Sequence, residues 1–280
     1  MTQAPVNAPA AGDPSRVAPG PLHTRPSLAA DLRALGLGWG AVVLVHSSLS
    51  ALGRVCGGPV AVVQALIDVV GRHGTVLVPT HTPGNSEPSR WVNPPAPPTD
   101  WPVVRAEMPG FHPKMTPSQH MGVVAETLRT WPAAKRSEHP QLSFAAVGDR
   151  AEELTARHRL APGLGDSSPL GRMAAAKGQV LLLGVGYQAC TAFHLAEHRV
   201  PGAAATVENG AAVAVDGNRR WSTWTDLDHD ASDFAALGAA YEITDEVAHG
   251  QVGSAAARLF PAAGAASFAE RWIAHHRELA

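Results

Sequence analysis

Cysteine is scarce. Cys56 and Cys190 are the two in 280 residues. They supply no disulfide framework, so a reducing compartment, the cytoplasm, is the expected location. An excess of charge of either sign is also lacking. The formal net charge is -2, which leaves no electrostatic footprint for a nucleic-acid partner. No apolar run approaches the roughly 20 residues that a membrane span requires. The first residues have neither a basic n-region nor an apolar h-region, so no secretory signal is expected. There is no P-loop, no G-x-G-x-x-G and no internal repeat. Gly165-Asp166-Ser167-Ser168-Pro169 approaches a nucleophile elbow, but Pro169 stands where the final glycine belongs, and a serine hydrolase is set aside.

What is present is enough for a sizeable core, with 45% hydrophobic residues. Residues 1–26 are rich in Ala and Pro and read as a tail, leaving 27–280 as a single domain. Ser27 is expected to cap a helix running to Leu35. Ala41–Val45 reads as a strand buried on both faces, a helix follows from Val60 to Val70, and Gly74–Pro79 is a second strand. That order predicts a parallel β-α-β unit. Residues 83–118 are proline-dense and read as a long functional loop. Further expectations are a helix over 119–131, a strand over 142–147, a helix over 150–158 and a strand over 179–185. A hairpin spans 206–225 around Asp216-Gly217-Asn218. The last part reads as helical, over about 232–241, 253–260 and 265–278. The pattern predicts an α/β fold with a mixed central sheet flanked by helices.

The most informative segment is His194-Leu195-Ala196-Glu197-His198, just after a strand and Gly184-Val185-Gly186. On a helix all three polar side chains share one face. The pattern H-x-x-E-H fits a zinc site, with Glu270 or Glu278 available as a further ligand. It fits equally a metal-free general base, His194, supported by a carboxylate. A histidine merely satisfied by backbone groups is the third reading. His46-Ser47-Ser48-Leu49 closes a buried strand, where open α/β sheets bind ligands, and its hydroxyls suit phosphate or amide oxygens. A helix cap would use the same serines. Arg136-Ser137 offers a cation and a hydroxyl before a strand. The acidic segment 226–233, with Asp226, Asp228, Asp230 and Asp233, is either a solvated loop or a wall that attracts a cationic substrate.

Taken in order, these segments resemble the aminoglycoside 3-N-acetyltransferase family, which has the antibiotic N-acetyltransferase fold. The matching pieces are Val45–Leu49, Gly74–Thr80, Arg136–Pro140, Ser168-Pro169-Leu170, Leu181–Gly186 and His194–Glu197, and the resemblance covers roughly residues 27–262. It implies transfer of acetyl from acetyl-CoA to the 3-amino group of a 2-deoxystreptamine ring, without a metal. It implies His194 as the base, with Glu197 and Asp228 in support. Acetyl-CoA is expected along His46, Ser47, Ser48 and Leu49 and along Val78, Pro79 and Thr80, with Arg136 and Ser137 near its phosphates or pantetheine. Backbone N–H groups near Ser47 or Thr80 would stabilise the thioester oxyanion. Asp226, Asp230 and Glu107 would bind the ammonium groups of the substrate. The expected partners are small molecules only, with the chain a monomer or homodimer. Acetylation of another small amine, a zinc peptidase on His194, Glu197 and His198, and a non-catalytic CoA-binding relative are the alternatives.

Overall fold

The computed structural model describes residues 20–215 and 217–279. The chain opens with β1 (Leu22–His23) and α1 (Arg25–Ala34), then β2 (Val42–Ser47), β3 (Arg54–Val55), α2 (Gly58–Val70) and β4 (Thr75–Pro79). The long loop contains one short helix, α3 (Trp101–Glu107), and is followed by α4 (Val123–Arg129), β5 (Lys135–Arg136) and β6 (Phe144–Gly148). Next come α5 (Ala151–Thr155), α6 (Pro169–Ala175), β7 (Gln179–Leu183) and α7 (His194–Arg199). The remainder is β8 (Thr206–Val215), β9 (Asn218–Leu227), α8 (Phe234–Tyr241), β10 (Ala248–Val252), β11 (Ala255–Pro261) and α9 (Ala262–His276).

The main sheet has seven strands in the order β10-β11-β7-β2-β4-β6-β5. Its centre, β7-β2-β4, is parallel, and its flanks are antiparallel. Because side chains alternate along a strand, each central strand feeds two cores. Val42 and Leu44 of β2 and Val180 and Leu182 of β7 join a cluster with α5 to α9. Val43, Val45, Leu181 and Leu183 join the opposite cluster with α1, α2 and α4. The result is a three-layer α/β/α sandwich whose central strands are apolar on both faces through their middles, as two-sided burial demands. The parallel strands β2, β4 and β7 deliver His46-Ser47, Pro79-Thr80 and Gly184 to one edge.

Several boundaries move for local reasons. Positions 1–19 of the expected tail lie outside the described residues, and Leu22–His23 already pairs with Arg54–Val55. Thr24, not Ser27, is the N-cap of α1, and Ser27 reaches back to the Thr24 backbone to complete a capping box. Asp216 of the expected hairpin turn lies outside the described residues; the strands on either side pair as predicted over Thr206–Leu227.

One element is different in kind. Residues 253–260 form no helix but the return strand of a hairpin, β10 to β11, which lays β11 antiparallel against β7. Alanine favours helix, but Ala255, Ala257 and Leu259 alternate with more exposed residues at the period of a strand. Gly253, at φ +58°, permits a tight turn that a β-branched residue would resist. No described helix is long and apolar enough to cross a membrane.

Candidate active site

His194 owes its place to a sharp turn after β7. Gly184 has φ +69°, and a Cβ there would lie 2.4 Å from the Ala51 Cβ. Only glycine lets the chain pass so close to the neighbouring segment. Two short 3₁₀ turns follow, and α7 begins at His194 itself. One helical turn later Glu197 meets it, with Nδ1 to Oε2 at 2.6 Å. The imidazole also stands against Phe234 and His229, with centroids 4.7 and 5.1 Å away.

Glu197 is sealed inside the protein, with 0% of its side chain exposed. Its other oxygen, Oε1, accepts from Arg277 Nη1 at 2.6 Å and from the Asp230 amide at 3.1 Å. Arg277 is held in turn by both oxygens of Asp233, at 2.7 and 2.6 Å. Burial pushes the Glu197 carboxyl up, but the bonds from His194, Arg277 and Asp230 outweigh it and hold the group below its ordinary value. Hydrogen bonding to Asp233, opposed by burial and helped by Glu197, holds the Arg277 guanidinium above its ordinary value. The carboxylate is therefore ionised, and the proton on Nδ1 belongs to His194. That fixes the tautomer and leaves the Nε2 lone pair as a base.

Two cavities of about 900 Å³ each lie near this centre: His194 lines neither, but His46 in the first and His81 in both are close enough to feel its charge. The first runs along the end of β2, between His46-Ser47-Ser48-Leu49 and the segment Val185 to Thr191. The second is walled by the long loop, through Glu87, Arg90, Trp91 and Val92, and by Gln141 and Asn209. His81, His120 and Met121 line both. His46 Nε2 pairs with the Thr191 hydroxyl at 3.0 Å. Burial, and then the nearby His194, push His46 down to about 3, so it stays neutral.

The structure sorts the sequence-predicted residues. Brought to the first cavity are His46, Ser47, Ser48, Leu49 and Pro79. Val78 is instead buried in the core. Thr80 accepts from Arg136 Nε at 3.1 Å and pairs with Ser143. Arg136 and Ser137 are both engaged within the protein. Arg136 donates to Thr80, Ser143 and the carbonyls of Pro113 and Thr116, which pins the long loop to β4. Ser137 is buried between the Phe144 amide and His158 Nδ1, each at 2.9 Å. Neither lines the two cavities.

The acidic segment is divided as well. Asp226 spends its carboxylate on the Gly163 and Leu227 amides, at 2.7 and 2.9 Å. Asp228 pairs with Arg90 at 2.6 Å and does not bond His194. Asp230 binds Ser232 with its side chain, and only its backbone reaches Glu197. Glu107 is exposed at the end of α3. Of the amides near Ser47 and Thr80, that of Ser48 donates to the Leu183 carbonyl and that of Thr80 to the Ser143 carbonyl.

The geometry also bears on the zinc pattern. His194 Nδ1 is taken by Glu197, while His198 Nε2 faces His229 Nε2 at 2.8 Å. Glu270 pairs with Arg199 at 2.8 Å. Among the described residues no group of three or more His, Cys, Asp or Glu could hold a metal ion. Sequence reasoning missed Arg277, Thr191 and His81, and included Asp233 only as part of the acidic segment, not as the partner of Arg277. Arg277 lies 80 positions beyond Glu197 and belongs to no motif.

The profile of the family described as aminoglycoside 3-N-acetyltransferase matches residues 44–274. The chain belongs to that family. It is an acyltransferase. One relative is the SPbeta prophage-derived aminoglycoside N(3')-acetyltransferase-like protein YokD of Bacillus subtilis, 42% identical over 90% of this chain and 92% of its own. The crystal structure of YokD superposes with a TM-score of 0.89 over 91% of this chain and 94% of its own. Aminoglycoside N(3)-acetyltransferase VII of Streptomyces paromomycinus is 40% identical over 89% of this chain and 91% of its own. AAC-IIIb, solved as a binary complex with CoASH, has a TM-score of 0.82 at 33% identity, over 90% of this chain and 97% of its own.

Proposed function

We propose that this chain transfers acetyl from acetyl-CoA to the 3-amino group of a 2-deoxystreptamine aminoglycoside, with His194 as general base. The observation that carries the mechanism is the 2.6 Å bond from His194 Nδ1 to a Glu197 already neutralised by Arg277. The cavity along the end of β2 takes the acyl donor, and the cavity behind Trp91 takes the amine. His194 Nε2 removes a proton from the amine nitrogen as that nitrogen bonds to the thioester carbonyl carbon. The C–S bond then breaks, and the CoA thiolate leaves and takes up a proton. Glu197 stabilises the imidazolium that forms between these steps. Asp228, which lines neither cavity but holds Arg90 of the second cavity's wall, is not assigned to the base.

The test is thiol release from acetyl-CoA with gentamicin-like acceptors, with the site of acetylation read by mass spectrometry. Turnover by wild type and its loss in His194→Ala are expected; near-wild-type turnover in the variant sinks the base role.

A specific observation favours a second reading of the acceptor. Among the described residues lining the second cavity, Glu87 is the one carboxylate, and Arg105 pairs with it at 2.5 Å. Arg90 stands in the same wall. Such a surface suits an amine less cationic than an aminoglycoside. A panel of amines ranked by kcat/KM distinguishes the two.

A further inference from the structure

The reaction leaves one task unassigned. When the amine attacks, negative charge grows on the thioester oxygen and needs a donor. The amides of Ser48 and Thr80 already donate within the protein.

His81 lines both cavities. If the two cavities hold the two substrates, the reacting atoms must meet at the wall that the cavities share. That wall is His81, His120 and Met121. Met121 has no hydrogen-bond donor in its side chain, and His120 is exposed. His81 Nε2 is enclosed and meets no hydrogen-bond partner among the described residues. Leaving a buried polar atom unpaired is costly, and such an atom beside a substrate cavity calls for an explanation. The backbone on both sides of the ring is also held. The flanking amides of Thr80 and Thr82 donate to Ser143 and Gln141, each at 2.8 Å, and the His81 carbonyl accepts from the Gln119 amide at 2.9 Å. The imidazole stands edge-on to Phe144, with centroids 5.4 Å apart.

We propose that His81 is a second catalytic residue, whose Nε2–H donates to the thioester oxygen of the acyl donor as that oxygen becomes negative. The inference rests on the acetyl-transfer reading above. No proton changes hands at His81. The new N–C bond pushes the carbonyl electron pair onto oxygen, Nε2–H stabilises it, and the pair returns as the C–S bond breaks. The amine proton goes to His194. Burial, and next the nearby His194, hold His81 well below its ordinary value, so it donates as a neutral imidazole while His194 takes the charge. One histidine moves a proton, and the other polarises a bond.

The test compares His81→Leu, which removes the donor, with His81→Gln, whose amide nitrogen can take the place of Nε2. His81→Leu is expected to lower kcat by about 10²–10³-fold, with both KM values within about threefold. His81→Gln is expected to recover about tenfold or more of that loss. A kcat within about threefold of wild type in His81→Leu overturns the proposal, as does an equal loss in both variants. Acceptor-free thiol release, in which water attacks acetyl-CoA, should rank the variants in the same order. If wild type acetylates no aminoglycoside, the substrate reading falls, while the acceptor-free arm still decides for or against His81. Melting temperatures and CoASH affinities of both variants are measured alongside, and His81→Gln keeps the question open to decision if His81→Leu fails to fold.

Discussion

His194 and the pair His139–His158 use the same side chain for opposite purposes. His139 Nδ1 accepts from two amides, those of Gln141 and Leu142, which forces its proton onto Nε2 and into the Leu160 carbonyl. His158 donates from Nε2 to the Gly163 carbonyl at 2.6 Å and accepts from the Ser137 hydroxyl at Nδ1. Both nitrogens of each ring are spent, and burial holds His139 down at about 4 and His158 at about 3. His194 meets a carboxylate instead of a carbonyl or amide, and no described residue bonds its Nε2. What occupies the first nitrogen decides whether the second is structural or reactive.

The sharpest test of that contrast is a pair of variants. His194→Ala should lower kcat by about 10²–10⁴-fold while leaving the melting temperature close to wild type. His158→Ala should do the reverse. It leaves the Ser137 hydroxyl and the Gly163 carbonyl without their partner, at a cost of about 1–3 kcal/mol in urea unfolding, with kcat per folded molecule nearly unchanged. A large loss of kcat in folded His158→Ala would erase the distinction.

Arg277→Met tests whether the reactive histidine depends on a buried ion pair. Removing one partner of such a pair costs about 3–5 kcal/mol, because Glu197 is left as an uncompensated charge. A loss under about 1 kcal/mol would mean that solvent reaches Glu197.

Acid should weaken the structural pair in a defined window. Their native values lie below the ordinary 6.5, so the unfolded chain binds protons there that the native chain refuses. Their contribution is whole above about pH 6.5 and is lost as pH falls towards about 4 and then about 3. Urea unfolding at about pH 7, 6 and 5 should show falling stability, with a shallower fall in His158→Phe. The same slope in both proteins would count against this origin.

The smallest effect belongs to Asp228. Its side chain is 54% exposed and pairs with Arg90 on the surface, so Asp228→Asn should change stability by about 0–1 kcal/mol. A kcat loss approaching that of His194→Ala would return Asp228 to the catalytic group.

Much of the sheet was readable because β2, β4 and β7 are apolar on both faces, a pattern that buried parallel strands impose. The register of His194 and Glu197 was readable for a similar reason, since three residues make nearly one helical turn. What failed did so where distant chain decides the outcome. Ala255–Pro261 becomes a strand because β7 offers it an edge. Arg136 and Ser137 looked available, because nothing in their own segment shows that Thr80, Thr116 and His158 will consume their hydrogen bonds. Arg277 had no local signal at all.

That last residue has a consequence for synthesis. Glu197 and its counter-ion Arg277 are 80 positions apart in the chain. At ordinary elongation rates the ribosome needs roughly 4–16 s to make that stretch. During this interval the nascent chain already contains His194 and Glu197 but lacks the cation that makes their burial tolerable. The turn that carries His194 and Glu197 must therefore stay hydrated until Arg277 emerges, and the buried carboxylate is completed only after the rest of its surroundings has been made.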